Sequence, residues 1–271
     1  MLASANGKAA AVAGGTDFMV QIREKAEKWA DLRYAVDLTH IPELDGIYKD
    51  GELIRIGALT SHAHIADNAM LQKEAAFLCR ACASVGSPQI RNRGSIGGNV
   101  ANASPAADPI SVLVALDAEI TVVSSRGERT APIASIYCGP YMTNLGKDEI
   151  ITEIRFHALP AGTRTAFVKL GRRKALAISR MNVAAALIMD GCGGVEAARI
   201  CPGCIFPAPC RVPEAEVLIK GAVTGEMAAA AGKKASEVMI AKTGVRWSTE
   251  YKQPVAESLV KRAIMQAFEE V

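Results

Sequence analysis

The sequence predicts an α+β protein in two parts, and two patterns carry that expectation. Through residue 156, short strand patterns alternate with helical patterns and glycine-rich loops. Beyond a Pro/Gly break, His157 to Gly162, three strand patterns run in succession and three helical ones follow. Composition adds that the chain is globular: 271 residues, half of them apolar and 22% charged, suffice for one large domain or two ordinary ones.

Residues 8–13 read as a buried strand, ending at two glycines, with a helix from about Asp17 to Glu24 behind them. Asp31 to Leu38 places Leu32, Tyr34, Val36 and Leu38 in alternation, a strand. Ile41-Pro42-Glu43-Leu44 is a turn or short helix. Gly46 to Tyr48 and Glu52 to Ile56 flank Lys49-Asp50-Gly51, a hairpin signal. Thr60 or Ser61 caps the next helix. His62 and His64, two apart, fall on different helical faces and are poor joint metal ligands, so surface or capping roles are expected. Leu71 to Val85 reads as one long helix stopped by Gly86-Ser87-Pro88. Ile110 to Leu116 reads as a buried helix starting at Asp108 or Pro109. Glu119 to Ser124 and the turn Arg126-Gly127-Glu128 make a second hairpin, and Glu149 to Phe156 alternates as a strand.

In the second part, Arg164 to Leu170, Asn182 to Asp190 and Val195 to Ile200 are expected to form an antiparallel sheet. Gly191-Cys-Gly-Gly194 is the turn between the last two strands. It is no dinucleotide fingerprint, because no helix follows it. Glu214 to Ile219, Glu226 to Thr243 and Val255 to Glu270 are helical.

A formal charge of +3 and the absence of a basic cluster interleaved with aromatics give no case for nucleic acid. The basic run Arg172-Arg173-Lys174 reads as a solvated turn or as a face for an acidic partner. No apolar stretch reaches 18 residues, so no membrane span is expected, and no leader is visible. Seven cysteines in such a chain imply reduced thiols in a cytoplasm. Cys79 and Cys82, and Cys201 and Cys204 with Cys192 and Cys210 nearby, lack a compact cluster spacing. They read as small buried hydrophobes, and no metal is expected.

The chemistry concentrates in two loops. Ala11-Val12-Ala13-Gly14-Gly15-Thr16-Asp17-Phe18 runs from an apolar strand into a helix start, where backbone amides favour an anion. Arg93-Gly94-Ser95-Ile96-Gly97-Gly98-Asn99 follows later, then Asn102, Ser104-Pro-Ala-Ala-Asp108, and an apolar anchor. Glycines let several N–H groups converge on one point. Loops with hydroxyls and no lysine suit a diphosphate held by hydrogen bonds rather than by point charge.

Together, Ala13-Gly-Gly-Thr-Asp17, Ser95-Ile-Gly-Gly-Asn99 and Ser104-Pro-Ala-Ala-Asp108 closely resemble the FAD-binding subunit of the molybdenum hydroxylases, the family of xanthine, carbon monoxide and nicotinate dehydrogenases. Val85-Gly-Ser-Pro-Gln-Ile-Arg-Asn92, Lys169-Leu-Gly-Arg-Arg173, Ala177-Ile-Ser179, Asn182-Val-Ala184 and Tyr251-Lys252 extend the likeness over nearly the whole chain. The resemblance implies a PCMH-type FAD-binding domain, residues 1–160, of two α/β subdomains, about 1–56 and 57–160. A C-terminal domain of antiparallel sheet plus helices, 163–271, follows. It implies FAD with its pyrophosphate between the loops: Ala11 to Phe18 on one, Ser95, Ile96, Gly97, Gly98 and Asn99 on the other, with Ile96 near the isoalloxazine. Ser104 belongs to the same set. Asp108 is expected to hydrogen-bond the flavin or ribityl region, Val85 and Ile151 to contact the flavin or adenine surroundings, and Lys169 to sit at the flavin's polar edge.

By the same resemblance, a large subunit holds the molybdenum cofactor and a small subunit holds two [2Fe-2S] clusters. FAD collects electrons from the nearer cluster and delivers them to NAD+ or another acceptor, in a dimer of heterotrimers. No residue of this chain is expected to be catalytic. The resemblance implies a further strand and a complete helix before the first glycine loop, whereas this sequence opens inside that helix: either its start is misassigned, the chain is truncated or the strand is dispensable, and a lost strand would expose a sheet edge. A stand-alone flavin oxidoreductase would need a substrate acid/base pair, and none is evident. A scaffold without FAD is disfavoured by the intact glycine loops.

Overall fold

The structure, a computed structural model, describes residues 2–269. The first strand, β1 (Ala9–Val12), leads through α1 (Phe18–Arg23) to β2 (Tyr34–Asp37). The two strands pair in parallel, Ala9 opposite Tyr34 and Val12 opposite Asp37, as a helical crossover requires.

A five-stranded sheet follows. It is built from β3 (Ile47–Asp50), β4 (Leu53–Gly57), β5 (Glu119–Ser124), β6 (Gly127–Pro132) and, running centrally, a late strand at Ile150–His157. Between β4 and β5 the chain makes six helices: α2 (His62–Asp67), α3 (Ala69–Glu74), α4 (Ala76–Ala83), α5 (Pro88–Arg93), α6 (Ile96–Asn102) and α7 (Asp108–Ala115). After β6 come the short pair β7 (Tyr137–Gly139) and β8 (Met142–Thr143), and then the central strand, β9 (Ile150–His157). The sheet order is β3-β4-β9-β5-β6, antiparallel throughout. Both expected hairpins form. Ile56, Ile154 and Ile120 stand opposite one another across three strands, all fully buried. This row is one face of the alternating pattern, turned onto the helices.

The single helix expected from Leu71 to Val85 is instead two. Ala75, at φ −152° and ψ 51°, separates α3 from α4. Neither Pro nor Gly marks the break. Its physical cause is packing: α4 lies between α2, α7 and the C-terminal sheet, with Phe77, Leu78, Cys79, Ala81 and Cys82 all buried. That burial on several sides needs a direction different from that of α3.

The C-terminal part opens with β10 (Arg164–Leu170), β11 (Met181–Met189) and β12 (Val195–Gly203), antiparallel in that order. Asp190 Oδ1 accepts the N–H groups of Cys192 and Gly194 and fixes the β11–β12 turn. Then come α8 (Pro213–Glu216), α9 (Gly225–Thr243) and α10 (Thr249–Glu269). The last two pack so closely at Gly232 that a Cβ there would lie 2.3 Å from the Glu257 carbonyl oxygen. Residues 181–187 of β11 are all buried. Phe167, Ala184, Ala186 and Cys201 point into the N-terminal core, while Ala166, Val168, Val183, Ala185 and Leu187 join the core under α9 and α10. Among the described residues, no helix is long and apolar enough to cross a membrane.

Candidate functional site

The two glycine loops meet. Gly14 lies against the backbone of the second loop, so tightly that a Cβ on it would stand 1.7 Å from the Arg93 carbonyl oxygen. Gly15 takes φ +74°, a conformation that favours glycine. On the second loop, Gly97 N–H donates to Ala58 O at 2.8 Å, and a Cβ at Gly97 would meet Ala58 Cβ at 2.5 Å. Ser95 Oγ accepts the Gly98 N–H at 3.2 Å and caps α6. Asn102 Nδ2, at the other end of α6, donates to Asp17 Oδ1 at 2.9 Å and ties the loops together. Gln21 and Trp29 extend this wall, Trp29 Nε1 donating to Gln21 Oε1 at 2.9 Å and stacking edge-on to Phe18.

An open cleft lies between the loops. All of Ala11, Val12, Ala13, Gly14, Gly15, Thr16, Asp17 and Phe18 line it, as do Val85, Ser95, Gly97, Gly98, Asn99 and Ile151. Fourteen of the eighteen residues singled out in the sequence are thereby brought to one place.

The other four stand elsewhere. Ile96, expected near the isoalloxazine, is fully buried in the core beneath the loop, its N–H bound to Thr60 O at 3.0 Å; it supports the loop from below. Ser104 lines a separate small cavity with Tyr137 and Cys204. Asp108, 4% exposed, is absent from the cleft lining and faces the C-terminal part. Its Oδ2 accepts from Lys169 Nζ at 2.6 Å and Ser84 Oγ at 3.1 Å; its Oδ1 accepts from Ser179 Oγ at 2.5 Å and Asn182 Nδ2 at 3.2 Å. Four donors already surround the carboxylate that was expected to bind flavin. Lys169 therefore has a carboxylate partner, and it lines a basic hollow with Ser84, Gly86, Arg91 and Arg172 to Lys174. That hollow borders the cleft, since Val85 lines the latter.

The cleft is rich in unspent hydrogen-bonding capacity. The backbone N–H groups of Gly14, Gly15, Thr16, Asp17 and Phe18 donate to no acceptor among the described residues. Asn99 Oδ1 is buried without a partner. Native proteins rarely leave a buried acceptor such as Asn99 Oδ1 unpaired, and the half-buried or exposed loop amides are open to a ligand, so together they mark a place for a polar one. At the rim, Glu149 accepts both Arg129 Nε and Nη2 at 2.8 Å and the Gly146 N–H at 2.7 Å. The Arg129 hydrogen bonds hold its carboxyl down to about 2.

Among the lining residues that the sequence did not single out, His62 differs most from its expectation. His62, expected at the surface, is 2% exposed, its N–H donating to Gly94 O at 3.0 Å. Its Nδ1 is buried without a partner. Burial, and secondarily the Arg91 charge, push the imidazole down to about 4, so it is neutral near pH 7. No spacing rule could have found it, because its burial depends on a carbonyl 32 positions away.

Comparison with known proteins agrees with this geometry. Residues 1–158 match the FAD binding domain in molybdopterin dehydrogenase, and residues 166–267 match the CO dehydrogenase flavoprotein C-terminal domain. The nicotinate dehydrogenase FAD-subunit of Eubacterium barkeri is 34% identical over 216 residues, 79% of this chain and 72% of that protein. The xanthine dehydrogenase FAD-binding subunit of Escherichia coli O157:H7 is 30% identical over 97% of this chain and 89% of its own length. Among solved structures, a carbon monoxide dehydrogenase from Hydrogenophaga pseudoflava superposes with a TM-score of 0.90 at 30% identity, covering 98% of this chain and 92% of that one. The chain belongs to the FAD-binding subunits of the molybdenum hydroxylase-type dehydrogenases. It is an oxidoreductase subunit, and its cofactor is FAD.

The cleft fits that cofactor. A diphosphate needs several convergent donors, and the 14–18 amides are free to supply them. A dinucleotide needs apolar walls for its rings, and Val12, Phe18, Val85, Ile90 and Ile151 provide them.

Proposed function

We propose that this chain carries electrons between the [2Fe-2S] clusters of a small partner subunit and NAD+ or another acceptor, within a complex whose large subunit holds the molybdenum cofactor. FAD supplies the chemistry, exchanging single electrons on one side and a hydride on the other; the protein binds, orients and shields it. The observation that carries this reading is the run of unpaired amides at Gly14 to Phe18, facing Ser95, Gly97, Gly98 and Asn99 across the cleft.

In this reading, residues 1–160 hold the cofactor and 163–271 form the C-terminal flavoprotein domain. The amides of 14–18 hold the diphosphate, and Asn99 uses its free Oδ1 as a ligand acceptor. Val85 and Ile151 flank the rings. Asp108 and Lys169 act one layer out, fixing Ser84 and hence the segment that carries Val85. The assembly is a cytoplasmic dimer of heterotrimers.

The test is purification with untagged partners, followed by a visible spectrum and identification of the accompanying chains. One flavin per chain, with a large molybdenum subunit and a small iron–sulfur subunit, is the expected result. Reduction of the flavin on adding the large subunit's substrate, and its reoxidation by NAD+, completes the test. A colourless protein purifying alone would refute the proposal.

A further inference from the structure

His62 is bonded to the second glycine loop, on the side that faces the first. Its backbone N–H holds the Gly94 carbonyl at 3.0 Å. The side of Gly94 that a Cβ would occupy is bounded by His62 Cδ2 at 3.2 Å and by Thr16 Oγ1 at 3.6 Å. The imidazole therefore lies at the junction of the loops, on the side of Gly94 that Thr16 also borders, and the Thr16 amide has no acceptor among the described residues. It lines the cleft while only 2% of the residue is exposed.

The ring has two nitrogens in unlike places. Nδ1 is buried and meets no partner. Nε2 adjoins Cδ2, the ring atom on the Gly94 and Thr16 side. A neutral imidazole carries one proton. Placing it on Nδ1 would strand a buried N–H donor, the rarest of unsatisfied groups, whereas an unprotonated Nδ1 strands only an acceptor. The tautomer with hydrogen on Nε2 is favoured, and that hydrogen lies on the loop side of the ring. Burial, and secondarily the Arg91 charge, keep the ring from taking a second proton.

We propose that His62 is a positioning residue for the cofactor, its neutral imidazole donating from Nε2 to the diphosphate held between the two loops. This rests on the FAD reading above. The role belongs to a side chain outside both glycine motifs. It adds a side-chain donor to a cradle otherwise built of backbone amides, without bringing a formal charge into it.

The test follows release of FAD from the flavin-loaded protein by the rise in free-flavin fluorescence, for wild type, His62→Leu and His62→Gln. Leucine fills the space without a donor; glutamine keeps one. A lost hydrogen bond to a charged group predicts release about 10- to 100-fold faster for His62→Leu, and rates within about threefold of wild type for His62→Gln. Competition by ADP, which has the diphosphate, weakens in His62→Leu, while competition by riboflavin, which lacks it, does not change. Wild-type release from His62→Leu overturns the proposal, as does equally fast release from both variants or an equal loss of riboflavin binding. If His62→Leu does not fold, imidazole nitrogen NMR of the wild type decides. An Nε2–H tautomer whose Nε2 resonance moves on adding FAD supports the role, and an Nδ1–H tautomer removes it. A wild type that takes up no flavin would instead defeat the FAD reading itself.

Discussion

Asp108→Ala removes the buried carboxylate that joins the two halves of the chain, leaving the half-exposed Asp117, which pairs with Arg199 and Arg211. Asp108 starts α7, whereas Lys169, Ser179 and Asn182 lie beyond the linker. The pair is poorly hydrated: Asp108 is 4% exposed and the Lys169 side chain 16%. Substitution leaves the Lys169 ammonium with only the Ser84 carbonyl at 2.9 Å, and strips the buried Ser179 and Asn182 of their shared acceptor. Asn182 Oδ1 already lacks a partner. Removing one member of such a pair costs about 3–5 kcal/mol, most of it from the stranded charge. Replacing both members relieves that charge, so Asp108→Ala/Lys169→Met is expected to be more stable than Asp108→Ala alone, with a coupling energy of about 1.5 kcal/mol or more. Urea unfolding of the four proteins gives the cycle, and protease nicking of the 158–163 linker reports whether the halves have parted. A loss below about 1 kcal/mol for Asp108→Ala, or additive single effects, would refute the view of Asp108 as the hub of this interface.

Gly14→Ala is expected to force the loops apart by about 1.5 Å, the shortfall between a 1.7 Å approach and an ordinary C···O contact; the flavin-to-protein ratio should fall severalfold. Gly97→Val, pressed on Ala58 at 2.5 Å, should also lose flavin, and full occupancy in either variant would contradict the loop geometry. His62 titrates near 4 when folded against an ordinary 6.5, so the unfolded chain takes its proton first. Its contribution is intact above pH 6.5 and is lost as pH falls towards 4, by about 3 kcal/mol in all; His62→Gln should flatten that part of the stability–pH curve. Cys138 and Cys192 are exposed, whereas Cys82 and Cys201 are buried and their thiols pushed well up by burial. A thiol reagent should therefore modify the first two quickly and the last two only on unfolding.

The legible features were those that short-range chemistry dictates. Lys49-Asp50-Gly51 announced its hairpin, Gly191 to Gly194 its turn, and the two glycine loops their meeting. The break at Ala75 was invisible because residues 71, 75, 78 and 82 keep helical spacing, and only neighbours distant in sequence demand the change of direction. Asp108 was noticed for its motif but not for its partners, which lie 61 to 74 positions away apart from Ser84. Ile96 looked like a cofactor contact because it sits among residues that line the cleft; one step along α6 turns a side chain from cleft to core. His62 was hidden by the opposite error, a polar residue taken for a surface one.

The C-terminal sheet has no face left for water along residues 181–187 of β11. Alternate residues of one strand serve two different cores. Recombination between relatives would then meet an unusual seam. A crossover placed in the 158–163 linker, where few side chains are buried, would still separate Phe167, Ala184 and Ala186 from the α4 and α7 surfaces against which they are fitted. Viable chimaeras are those that inherit α4, α7 and β10 to β12 from one parent, so the heritable unit is a slab running through both halves of the protein.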